Sequence, residues 1–185
     1  MKKDFTTLKR RPLFLPLLAP IVALLLAIGA AAWFFDARTS TVVMIVRHAE
    51  SEPSTPEGDP VLSVEGKERA ARLARVLSQA KPQRGVDAIF ASDLQRTQQT
   101  VTPLAEALGL PVNVVPSARW NKLADQIRRE HRGEFVVVSA TTVMIPQLVE
   151  GLSGELVAVG ENEYDPLFVV FLPQLSKAKV LKLRY

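Results

Sequence analysis

The chain contains no cysteine, which rules out disulfides, thiolate metal sites and a cysteine nucleophile. An oxidising compartment is compatible with that absence. Low-complexity tracts and internal repeats at solenoid spacing are also missing, so a repeat array is not in prospect. Nor is there an excess of one charge where it would matter. The net charge is +4, but residues 1–12 hold five of the 23 basic and one of the 19 acidic side chains, leaving 18 of each beyond them. The rest of the chain is therefore neutral and lacks the basic footprint that nucleic-acid binding needs. A length of 185 residues leaves room for one globular domain and an appendage.

The first forty residues are of a different kind. Lys2, Lys3, Lys9, Arg10 and Arg11 precede Leu13–Phe35, a run of 23 residues without a charge. A helix of that length reaches about 34 Å, enough to cross a hydrocarbon core of about 30 Å. Trp33, Phe34 and Phe35 stand at its far end, where aromatic rings prefer the interface. The expected organisation is a basic cytoplasmic tail at 1–12, a single transmembrane helix (an uncleaved signal anchor) at 13–35, a linker at 36–40 and a domain at 41–185. Basic residues ahead of the span would keep the N-terminus in the cytoplasm and place the domain on the periplasmic or outer side of the cytoplasmic membrane. A cleaved signal peptide is the rival reading, with Ala30, Ala31 and Ala32 as small cleavage-site residues. Its usual apolar core of about 7 to 15 residues is shorter than this one.

In residues 41–185 apolar runs alternate with amphipathic stretches. Thr41–Val46, Val86–Ala91, Val112–Val115, Phe135–Val138, Leu167–Leu172 and Lys179–Tyr185 read as strands. Between them, Ser63 caps a helix carrying Ala70, Leu73, Ala74 and Leu77 on one face. Ser92 or Asp93 caps another, expected to break near Pro103 and end at Gly109. Residues 119–132 read as a polar surface helix. Ile145, Leu148, Val149 and Leu152 face a helix that stops at Gly154. The fold class is α/β: a three-layer αβα sandwich with a mostly parallel central sheet, preceded by the transmembrane helix. Ligands of such sheets bind beyond the carboxyl ends of the strands. That edge holds Arg47–Glu50, Ser92–Arg96 and Ser139–Thr142.

Arg47 and His48 leave the first strand at its carboxyl end, and Arg96 lies one turn into the helix after the second. Guanidiniums offer planar, bidentate donors to phosphate oxygens. A neutral imidazole beside them can attack phosphorus. Val46-Arg47-His48-Ala49-Glu50 resembles the Arg-His-Gly signature of the histidine phosphatase superfamily, the phosphoglycerate mutase-like proteins. Asp59–Gly66, Phe90–Thr100, Glu163–Phe168 and Leu181–Tyr185 are similar to further segments of its short bacterial members, in the same order.

That resemblance implies that His48 accepts a phosphoryl group and that Arg47 and Arg96 hold its oxygens, with Thr141 a further phosphate ligand. It implies no metal and no cofactor. Its partners would be a phosphorylated small molecule or envelope component, and the membrane through residues 13–35, with a membrane protein as a possible further partner. The sequence departs from the pattern twice. Ala140 stands where the second histidine belongs, and His131 reads as a solvated surface residue, not its substitute. The stretch Ser117–Asn121 has no carboxylate to protonate a leaving group, which leaves Glu50 and Asp125 as weak acid candidates. The expected activity is a weakened phosphomonoester hydrolase. The alternative is a catalytically impaired relative that binds a phosphorylated ligand or serves as a membrane-tethered interaction module.

Overall fold

A computed structural model describes residues 15–53, 58–79, 85–160 and 163–184. The chain divides into two compact units, Met1–Ala37 and Arg38–Tyr185. The first contains α1, Leu15–Thr39, which runs through Pro20. Leu18, Ile21, Val22, Leu24, Leu25, Leu26, Ile28, Trp33 and Phe34 are all exposed. Among the described residues no helix is long and apolar enough to cross a membrane. The expected basic tail and the first two residues of the expected span, Leu13 and Phe14, lie outside the described residues.

The second unit is built on a six-stranded sheet. Its strands are β1 (Thr41–Arg47), β2 (Ala88–Ser92), β3 (Val112–Val115), β4 (Phe135–Ala140), β5 (Pro166–Leu172) and β6 (Lys179–Arg184). The spatial order is β3-β2-β4-β1-β5-β6. Strands β3, β2, β4 and β1 are mutually parallel, and β5 runs antiparallel to both β1 and β6. Successive residues of the inner strands point to opposite faces and are buried on both, which explains their unbroken apolar runs. On one face Val43, Ile45, Val136 and Val138 pack with Leu123, Ile127, Ile145, Leu148 and Leu152. These come from α4 (Leu123–Glu130) and α5 (Met144–Ser153). On the other, Val46, Ile89 and Val137 pack with Leu73, Leu77, Val101 and Leu104. Those belong to α2 (Val64–Gln79) and α3 (Gln95–Leu108). Each fully buried aliphatic side chain contributes about 1.5–3 kcal/mol of transfer free energy.

Local signals set most helix ends. The Ser63 Oγ accepts from the Gly66 N–H at 3.2 Å, and α3 and α5 stop at Gly109 and Gly154, whose φ values of 68° and 77° are left-handed. Four expectations are corrected. Strand β2 starts at Ala88, and its last residue is Ser92. Neither Ser92 nor Asp93 is the residue preceding α3; that is Leu94. Instead the Gln95 N–H donates to both carboxylate oxygens of Asp59 at 3.1 and 3.0 Å. Helix α3 continues through Pro103, because Val101, Leu104 and Ala105 bury its apolar face against the sheet and tertiary packing outweighs the local penalty. The polar segment after β3 is a 3-10 turn, Ser117–Lys122, followed by the short α4. Trp120 is buried there, its Nε1–H donating to the Met144 carbonyl at 3.1 Å.

Candidate active site

Strands β1 and β4 pair in register, so Arg47 lies opposite Ala140. One residue further on, the His48 N–H donates to the Ala140 carbonyl at 2.9 Å. Ala140 thus stands at the strand end beside the candidate nucleophile, where the resemblance puts a second histidine. The His48 side chain is buried, with Nδ1 2.8 Å from the Ala49 carbonyl oxygen. A carbonyl can only accept, so Nδ1 carries the proton and Nε2 carries the lone pair. Burial, more than any charge, pushes the imidazole down to about 4, and Arg96 and Arg47 push the same way. At neutral pH His48 is therefore uncharged and available as a nucleophile.

Helix α3 is tied to this strand end. The Thr100 hydroxyl donates to the Arg96 carbonyl at 2.7 Å and accepts from the Ala49 N–H at 2.9 Å. The Arg96 guanidinium lies 3.6 Å from the Asp59 carboxylate, the same carboxylate that caps α3. The buried Arg47 donates through Nη1 to the carbonyls of Gly160 and Glu163, at 3.1 and 2.9 Å. At the end of β4, the buried Ser139 Oγ and Thr141 Oγ1 have no hydrogen-bond partner among the described residues. The Thr141 carbonyl accepts from the Met144 and Ile145 N–H groups and so starts α5.

The acid candidates fare differently. Arg69 clasps the Glu50 carboxylate with three hydrogen bonds of 2.5–2.9 Å. Those bonds hold its pKa below the ordinary carboxylate range. A group stabilised as the anion is a poor proton donor at neutral pH, so the structure argues against Glu50 as the acid. Asp125 is exposed in the first turn of α4. The Ser117 end of the 3-10 turn is fastened by Asp93, which accepts from the Ser117 N–H and hydroxyl at 3.0 and 2.6 Å. His131 sits at the opposite end of β1: its carbonyl accepts from the Thr41 hydroxyl and its Nδ1 lies 2.6 Å from Glu134 Oε2. The strand between Thr41 and Arg47 spans roughly 20 Å.

Residues 43–119 match the model of the histidine phosphatase superfamily, branch 1. Over that stretch the chain is similar to members of that superfamily. A stretch of 76 residues is 42% identical to phosphoserine phosphatase 1 of Hydrogenobacter thermophilus, covering 38% of this chain and 34% of that relative. The chain thus spans about a third of the length of that relative. Among solved structures, the protein histidine phosphatase SixA bound to tungstate is similar with a TM-score of 0.61 at 18% identity, covering 77% of this chain and 96% of that one. Mycobacterial glucosyl-3-phosphoglycerate phosphatase has a TM-score of 0.57 at 18% identity, over 76% of this chain and 97% of that one. These two likenesses are likenesses of fold.

Several residues around the site escaped the sequence reading. Asp59 and Arg69 lie in the loop and helix before β2, and their partners follow from tertiary contact alone. Gly66 is a further case. A Cβ there would come within 2.0 Å of the Glu50 carbonyl oxygen, so only glycine lets α2 approach the loop after His48 this closely.

Proposed function

We propose that residues 41–185 form a phosphohydrolase that acts on small phosphomonoesters or phosphorylated envelope molecules through a phospho-histidine on His48, slowed by Ala140. The observation that carries this reading is the His48 imidazole, held neutral with its proton on Nδ1 at the strand end that also bears Arg47. The lone pair of Nε2 attacks phosphorus, the bond to the ester oxygen breaks, and that oxygen leaves with a proton from water. Water then attacks the phospho-histidine. The P–N bond breaks, the water's proton returns to solvent, and inorganic phosphate departs. Arg47 and Arg96 balance charge on the non-bridging oxygens, and Thr141 supplies a hydroxyl at the same edge. A relative named as a phosphoserine phosphatase supports the reaction class.

The methyl group of Ala140 offers no hydrogen bond to a phosphoryl group. Loss of one preorganised donor typically costs on the order of 10²–10³ in rate. The full-length Ala140→His protein should therefore hydrolyse an aryl phosphate about 100-fold faster or more, mainly through kcat. The gain should vanish when His48 is replaced as well. The second reading, a module that binds a phosphorylated ligand without turning it over, draws on Ala140 and on the commitment of Glu50 to Arg69. An Ala140→His protein that binds vanadate, stays folded and remains inert toward aryl phosphates establishes that second reading.

We further place the domain on the outer side of the cytoplasmic membrane, held by residues 13–35. The uncharged run behind five basic residues and the exposed apolar side chains of α1 support this. The full chain should stay with membranes through high-salt and carbonate washes. A soluble form beginning near Trp33 would instead establish a cleaved signal peptide.

A further inference from the structure

An arginine side chain pinned in one orientation loses about 2 kcal/mol of rotamer entropy, so a preorganised anion site needs neighbours that hold its guanidinium. For Arg47 those neighbours come from one short segment far along the chain. Its Nη1 donates to the carbonyls of Gly160 and Glu163, and its Cζ lies 4.1 Å from the centroid of the Tyr164 ring. The same ring meets the His48 imidazole edge-on, with centroids 6.0 Å apart and planes at 67°. Strand β5 begins two residues later, and Leu167 pairs with Val46 at the end of β1, which is why Tyr164 arrives at this place. Its hydroxyl makes no hydrogen bond among the described residues, so the contacts it makes are those of the ring.

We propose that Tyr164 is a positioning residue: its ring fixes the plane of the Arg47 guanidinium and walls the anion site beside His48. A cation is drawn to the face of an aromatic ring, and two carbonyls then fix rotation within that plane. Plane and rotation together decide whether a guanidinium can meet two oxygens of one phosphoryl group. The inference rests on the reading of Arg47 as a phosphate ligand, and it brings the segment before β5, outside the matched residues 43–119, into the site.

Vanadate titration of the full-length protein tests it. Tyr164→Phe keeps the ring and should bind vanadate within about 2-fold of the parent, whereas Tyr164→Leu should bind about 2- to 30-fold more weakly, the range expected for a cation–π contact. Tyr164→Met provides a second aliphatic side chain, and melting temperatures show that each variant is folded. In the Ala140→His background the Leu and Met variants should raise KM for an aryl phosphate more than they lower kcat. Equal affinity in the parent and both aliphatic variants overturns the inference and leaves the phosphatase reading standing. A loss in Tyr164→Phe as large as in Tyr164→Leu also overturns it, because the hydroxyl would then be the active group. A parent protein with no affinity for vanadate overturns the phosphatase reading and this inference together.

Discussion

Two strand ends lie side by side in the sheet and differ in what their side chains offer. At the end of β1, Arg47 is held by two carbonyls and the His48 ring by a third. At the end of β4, Ala140 lies opposite Arg47 between two buried hydroxyls, on Ser139 and Thr141, that have no partner among the described residues. A buried hydroxyl without a hydrogen bond costs about 1–3 kcal/mol. On the function proposed above, the β1 side binds the anion and carries the nucleophile, while the β4 side has a methyl group between its two hydroxyls. The difference separates binding from turnover: the first should be largely intact and the second impaired.

Three substitutions probe that contrast. Arg96→Ala removes charge-assisted hydrogen bonds to a dianion and should weaken vanadate binding by about 10- to 100-fold, read by titration. Undiminished affinity would mean that the anion sits elsewhere. Next comes pH. The folded His48 pKa is lowered to about 4 from an ordinary 6.5, so below about 6.5 the unfolded chain takes up a proton that the folded chain refuses. The His48 contribution to stability should therefore fall as pH drops from about 6.5 to about 4, by on the order of 3 kcal/mol in denaturant titrations, and level off below. His48→Gln should lack that component. The smallest effect belongs to the β4 side. Ser139→Ala removes a buried hydroxyl that has no partner among the described residues and should stabilise the domain by about 1 kcal/mol, and a clear loss of stability would show that the hydroxyl is engaged.

The parts legible in the sequence were those fixed by neighbours in the chain. The apolar runs of β1 and β4 have the pattern of strands buried on both faces, and Gly109 and Gly154 mark helix ends because left-handed backbone favours glycine. Position along the carboxyl edge of such a sheet was enough to single out Arg47, His48 and Arg96 as candidates. The partners of those residues were not legible, since they are set by packing between distant segments. Arg47 meets carbonyls 113 and 116 residues downstream, and Glu50 is clasped by Arg69 from the next helix. Asp59 caps α3 from 36 residues away, which is why the sequence pointed to Ser92 or Asp93. Pro103 misled for a related reason: its local penalty is real, but the buried face of α3 outweighs it.

The most direct test of the account looks for the covalent intermediate itself. The Ala140→His protein is mixed with an aryl phosphate, quenched under conditions that preserve phospho-histidine, and its peptides are analysed by mass spectrometry. The account predicts a phosphoryl group on His48 that disappears in the His48→Gln version. Phosphate release with no phosphoryl group on His48, or with the group on any other residue, would contradict it.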